Sequence, residues 1–94
     1  MNQSAFEIQA NFCKAMGNAT RLQILHALQE GPLKVGEIVQ VTKIGQPTIS
    51  RQLGILRNVG VVSYQRHGVE IVYQLTDENI VEVCNLVRKV LLNQ

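Results

Sequence analysis

The apolar pattern of this chain changes period at Gly60. Before that residue, apolar side chains recur at three and four positions, the spacing of helices that bury one face. After it, the runs VVSYQR and VEIVYQL are β-branched and aromatic, and His67-Gly68 between them reads as the joint of a hairpin. Helical spacing returns beyond Thr76. A fold must therefore set several short helices ahead of one hairpin and a single helix behind it.

The segments can be read one by one. Phe6, Ala10, Cys13 and Met16 mark the apolar face of a first helix that Gly17 stops. Asn18 can cap a second, which carries Leu22, Ile24, Leu25 and Leu28 and ends at Gly31-Pro32. Val35 to Val41 reads as a short third helix with Ile38 and Val41 inward. Gly45-Gln46-Pro47 makes a turn, and the proline suits the first positions of a fourth helix. Thr76 caps a last helix with Asp77 and Glu78 in its first turn, where acids suit the helix dipole. Its stripe is Ile80, Val83, Cys84, Val87, Val90 and Leu91. The expected fold is mainly α with a β-hairpin wing, in the order α-α-α-α-β-β-α: a winged helix-turn-helix. Two Phe, two Tyr and no Trp favour packed helices over a large sandwich.

No repeat, low-complexity tract or linker divides the chain, so residues 1–94 are expected to form a single domain. A chain of 94 residues buries only about 60–65% of its unfolded surface, and so thin a core gains from pairing with a second copy. No apolar run is long enough to span a bilayer, and the opening residues lack the basic start and apolar centre of a secretory leader. A cytoplasmic protein with reduced thiols is expected.

The net charge is only +2, but it is unevenly spread. From Ile38 to Val69 there is no Asp or Glu, while Lys43, Arg51, Arg57 and Arg66 all fall there. Such a local field suits a polyanionic partner, and a solvated basic face is the plainer reading. The segment IGQPTISRQLGILRNVG, Ile44 to Gly60, lies inside that window. With Ile49 at zero and 100° per residue, Leu53 and Leu56 fall within about 40° of it. Pro47, Ser50, Arg51, Gly54 and Asn58 fall on the far side, with Gln46 and Thr48 near the start. An exposed face this short, polar and partly basic fits a DNA major groove, where Gln and Arg pair with adenine and guanine edges.

Residues Lys14 to Leu75 closely resemble the ArsR/SmtB family of bacterial repressors. The pieces that carry the resemblance are KAMGNATRLQIL, IGQPTISRQLGILRNVG and the wing ending VYQL. It implies a homodimer paired through the first and last helices, each recognition helix entering half of an inverted-repeat operator in double-stranded DNA. It also implies release by an effector. The positions it assigns to the DNA face are Gln46, Thr48, Ser50, Arg51 and Gln52, with Arg66 and His67 at the wing tip. Arg57 reads as a structural or phosphate contact or as a base reader, and His67 as a turn residue rather than a specific contact.

Many members of that family sense metals or arsenicals. The positions matching the thiolate site are Lys34 and Gly36, with Val39 beyond, and those matching the last-helix site are Asp77, Asn79, Val90 and Asn93. Neither set supplies the four donors of a tetrahedral cation, so no metal or other cofactor is expected. His26 reads as a partly buried histidine rather than a ligand. The recognition segment looks most like the sulfide-responsive, biofilm-linked branch, whose thiols sit on the second and last helices; here His26 and Leu92 stand near those positions. Cys13 and Cys84 are left. They are either small core residues or, if the helices carrying them meet, a pair open to oxidation, persulfide bridging or a trivalent arsenical.

No Ser/His/Asp set, paired carboxylates, phosphate loop or metal cluster marks an enzyme, and none is expected. The competing classes are therefore a dimeric DNA-binding repressor, with or without a small inducer, and a winged-helix module that binds protein instead.

Overall fold

The computed structural model describes residues 4–92. The chain runs α1 (Ala5–Met16), α2 (Ala19–Ala27), β1 (Leu33–Lys34), α3 (Val35–Thr42), α4 (Gln46–Val59), β2 (Val62–His67), β3 (Glu70–Leu75) and α5 (Asn79–Leu92). A single 3-10 turn, Leu28–Glu30, extends α2. This is the expected order with one addition, the two-residue β1. It pairs antiparallel with β3, Leu33 opposite Tyr73, and gives a sheet ordered β1-β3-β2. Two residues cannot display a period of their own, which is why the sequence hid this strand.

Local chemistry sets most boundaries. Ser4 Oγ accepts from Glu7 N while Glu7 Oε1 accepts from Ser4 N, a reciprocal cap that starts α1. Asn18 Oδ1 accepts from Arg21 N at 3.0 Å and starts α2 as expected. Gly60, at φ 92°, closes α4 in the left-handed region that a side chain resists. The hairpin turn sits one residue later than its sequence suggests. His67 still pairs with Glu70, so Gly68 and Val69 make the bend, with Gly68 at φ 66°. Glycine first in a two-residue loop gives the backbone twist that hairpins need.

The last helix starts differently from its expectation. Thr76 does not cap it; its hydroxyl donates to Gly60 O at 2.8 Å and so ties the end of the hairpin to the end of α4. Asp77 takes the capping part, its Oδ1 accepting from Asn79 N at 2.8 Å. Asp77 and Glu78 thus precede the first turn, which holds Glu82.

The core joins Ile24, Leu25 and Leu28 with Ile38, the α4 residues Ile49, Leu53 and Leu56, and Val61, Val62 and Ile80. Three expected inward faces shift. Phe12, Ala15 and Met16 turn α1 inward, leaving Phe6 83% exposed and Cys13 exposed. On α3 the buried stripe is Val35, Ile38 and Val39, which sets Val41 on its flank at 61% exposure. Only Ile80 and Val81 of α5 are buried, while Val90 and Leu91 are 70% and 76% exposed. Among the described residues no helix is long and apolar enough to cross a membrane.

Ile24 is fully buried among these side chains and stands away from the outer face of α4. Ile24→Ala is expected to cost about 2–5 kcal/mol of unfolding free energy in urea titration, with little change in the slope.

Candidate nucleic-acid interface

The face of α4 is decided by what it buries. Ile49, Leu53 and Leu56 are at most 1% exposed, so the opposite side of a 3.6-residue helix must face water. Ser50 and Arg51 are exposed there, Gln46 is exposed at the helix start, and Thr48 is half-buried. Gly45 precedes the helix without a side-chain cap and no acid occupies the first turn. The N–H groups at this end are therefore free for an anion, in the positive field of the helix dipole.

Two residues of the expected DNA face have other partners. Gln52 is half-buried, and its Oε1 accepts from a terminal guanidinium nitrogen of Arg21 at 3.0 Å. Arg21 also donates through Nε to Ala15 O at 2.6 Å, the carbonyl end of α1. Gln52 is thus turned toward its own protein. Arg57 lies over the ring of Tyr64, 4.3 Å from the centroid, and Tyr64 in turn stands 5.8 Å from Tyr73. This stack joins the last turn of α4 to the wing and gives the Arg57 side chain a contact within its own protein.

Arg66 and His67 are exposed toward the wing tip, on β2 opposite Ile71 and Glu70. The acid at that tip is engaged: Lys34 Nζ meets Glu70 Oε2 at 3.1 Å. The hydrogen bond to Glu70, then its charge and that of Glu37, raise the Lys34 pKa. With Glu70 paired, the positive field of Arg66 is left uncancelled. Sequence reasoning missed Arg21, Tyr64 and this pair because each contact spans distant positions.

Cys13 and Cys84 line one groove of about 480 Å³ between α1, α2 and α5, together with Met16, His26, Leu91 and Leu92. The Cys84 thiol is 4.0 Å from the Met16 sulfur, and Cys13 is exposed. Burial pushes the Cys84 thiol above its ordinary range, against a smaller opposing pull from Arg88. Among the described residues no group of three or more His, Cys, Asp or Glu side chains could hold a metal ion. Asn93, one of the compared metal positions, lies outside the described residues, as do the first three residues of the opening segment.

The chain as a whole is similar to known proteins. The sequence profile for bacterial regulatory proteins of the arsR family matches residues 18–64, from the cap of α2 into the wing. The chain is 37% identical over 94 residues to a biofilm growth-associated repressor of Xylella fastidiosa, covering 100% of this chain and 82% of that one. It is similar in structure to the transcriptional repressor BigR from Xylella fastidiosa, with TM-score 0.78, 38% identity and 86% and 83% of the two chains covered. It is also similar to a homodimeric winged helix-turn-helix DNA-binding domain from Mycobacterium bovis, with TM-score 0.79, 31% identity and 95% and 87% covered. From the cap at Asn18 through the buried stripe of α4 to the hairpin, and in its likeness to these proteins, the chain belongs to the arsR family of bacterial regulatory proteins.

Proposed function

We propose that this chain is a homodimeric transcriptional repressor that lays α4 of each copy in the major groove of an inverted-repeat operator. The observation that carries this is the division of α4: three aliphatic side chains wholly buried, Ser50 and Arg51 exposed on the far side, and Gln46 exposed at the helix start. Arg51 is the foremost base reader, since a guanidinium matches the paired acceptors of guanine. Gln46, Thr48 and Ser50 supply shorter polar contacts, and Arg66, with His67 beside it, reaches a flanking phosphate. Arg57, held on Tyr64, meets the backbone at the groove edge.

The uncovered faces of α1 and α5 favour a dimer. Phe6 on α1 is exposed, as are Leu86, Val87, Val90 and Leu91 on α5, and those four share one face by helical spacing. A second copy with the same patch covers it by two-fold pairing. A protein-binding module with no DNA role is the competing reading, and the acid-free window around α4 favours DNA over it.

For the effector, the shared groove of Cys13 and Cys84 favours thiol chemistry over packing alone. Joining two such thiols releases two protons and passes two electrons to an oxidant such as a polysulfide, one of whose sulfur–sulfur bonds is cleaved. Burial raises the Cys84 pKa and so disfavours its thiolate, the form that attacks.

Three outcomes are expected. In a mobility-shift assay, Arg51→Ala weakens operator binding by about 1–3 kcal/mol per half-site, roughly 5- to 150-fold for each, and relaxes the choice of base at one position per half-site. Arg66→Ala weakens binding evenly across sequences and lowers the salt slope by roughly 2, one phosphate per protomer. A wild-type protein that is monomeric at assay concentration, or whose DNA binding ignores salt, removes the repressor reading. Thirdly, the folded state holds the Cys84 proton longer than the unfolded chain does. The resulting stabilisation is complete below the unfolded thiol pKa and fades as pH rises through the higher folded value. Cys84→Ala is expected to flatten that alkaline decline in thermal midpoint, and identical release from DNA by oxidant in wild type, Cys13→Ser and Cys84→Ser would reduce both cysteines to packing.

A further inference from the structure

Arg21 is a half-buried cation with no carboxylate partner among the described residues. Its guanidinium is held by two neutral oxygens that lie far apart in the chain. Nε donates to Ala15 O at 2.6 Å and a terminal nitrogen donates to Gln52 Oε1 at 3.0 Å. The first acceptor belongs to the last turn of α1, where carbonyls lack helical partners and the helix dipole is negative. The second sits in the middle of α4. The backbone of Arg21 is fixed in its turn by Asn18, whose side chain accepts from Arg21 N. Among the described residues this is the one side-chain hydrogen bond that joins α4 to another helix.

We propose that Arg21 is a positioning residue for DNA recognition: it locks the angle of α4 to the C-terminal end of α1 by holding the Ala15 carbonyl and the Gln52 amide together. This rests on the repressor reading above. Apolar contacts around Ile49, Leu53 and Leu56 hold α4 against the core, but the attraction behind them is non-directional and does not by itself choose one helix angle. Two hydrogen bonds from one planar group add that direction, and charge assistance makes them stronger than neutral ones. Because the free face of α1 belongs to the dimer seam, the strut relates α4 to the two-fold axis and so fixes the separation of the two reading helices.

The same geometry gives Gln52 its duty. With Oε1 turned to Arg21, its amide cannot pair freely with adenine in the two-bond manner, since that pairing needs both the oxygen and the nitrogen. Gln52 is therefore an anchor on the protein side of α4 rather than a base reader.

The test begins with selection of an inverted-repeat duplex by the wild-type protein from a random pool. Binding is then measured on that duplex and on one with a single base pair inserted between half-sites, which rotates them by roughly 34° about the axis. The proteins are wild type, Arg21→Ala, Arg21→Lys, Gln52→Ala, Gln52→Glu and the double variant Arg21→Ala/Gln52→Ala. Wild type should reject the inserted duplex strongly. Arg21→Ala and Gln52→Ala should each bind the selected duplex about 10- to 100-fold more weakly and lose most of that rejection. The double variant should match the singles, and Gln52→Glu, whose carboxylate still accepts from Arg21, should keep wild-type discrimination. Salt slopes should stay unchanged throughout, because neither residue touches phosphate. Additive losses, a reduced salt slope for Arg21→Ala, or undiminished rejection of the inserted duplex in both alanine variants overturns the proposal. If Arg21→Ala fails to fold by circular dichroism, Gln52→Ala, which removes the same bond from the other side, decides it. A wild-type protein that selects no duplex defeats the repressor reading first, an outcome distinct from normal binding by the variants.

Discussion

Ile49, Leu53 and Leu56 enter a core built by Ile24, Leu25, Leu28 and Ile38, and a helix that commits one stripe to such a core must show the opposite stripe to water. The polar edge of α4 follows from that geometry alone. Gly60, Val61 and Thr76 then tie the end of α4 to the base of the hairpin, so the wing is carried by the same core that carries the helix. Reading helix and wing are thus two projections from one packed centre, and neither can be reoriented without disturbing it.

Charge on this surface is arranged by pairing as much as by count. Glu70 is the acid nearest the wing tip, and Lys34 holds it through a contact between β1 and β3. Arg57 lies on Tyr64, which restricts a long flexible side chain to one edge of the interface. Arg21 is turned inward altogether. Of the arginines near α4, therefore, Arg51 and Arg66 are the ones free of such contacts among the described residues.

The incompletely buried helices α1 and α5 serve a different end. Their outer residues add little to the monomer, as the exposure of Phe6, Val90 and Leu91 indicates, and a chain with so small a core has reason to bury them against a copy. Cys13 and Cys84 share the groove between these helices with Met16 and His26, so a chemical change there would act beside the seam. Ala15, whose carbonyl holds Arg21, lies two residues from Cys13. A path of covalent and hydrogen-bonded neighbours therefore runs from the thiol groove to the middle of α4.

The sequence by itself determined the elements and the stripe of α4, because both follow from local rules: a 3.6-residue period, a capping Asn18, prolines and glycines at turns, and β-branched runs. It also carried Gln46, Ser50, Arg51 and Arg66 correctly to the surface, since exposure opposite a buried stripe is a matter of angle. Tertiary structure alone decided the face of α1, the short β1, and the partners of Arg57, Gln52 and Arg21. Those depend on which distant elements come to rest against one another, and helix periodicity is silent about that. Phe12, Ala15 and Met16, not Phe6 and Cys13, face the core, because they lie on the side of α1 that meets the rest of the fold. Gln52 was assigned to the reading face by resemblance, although its spacing sets it beside the buried stripe, and its bond to Arg21, 31 positions away, holds the amide there.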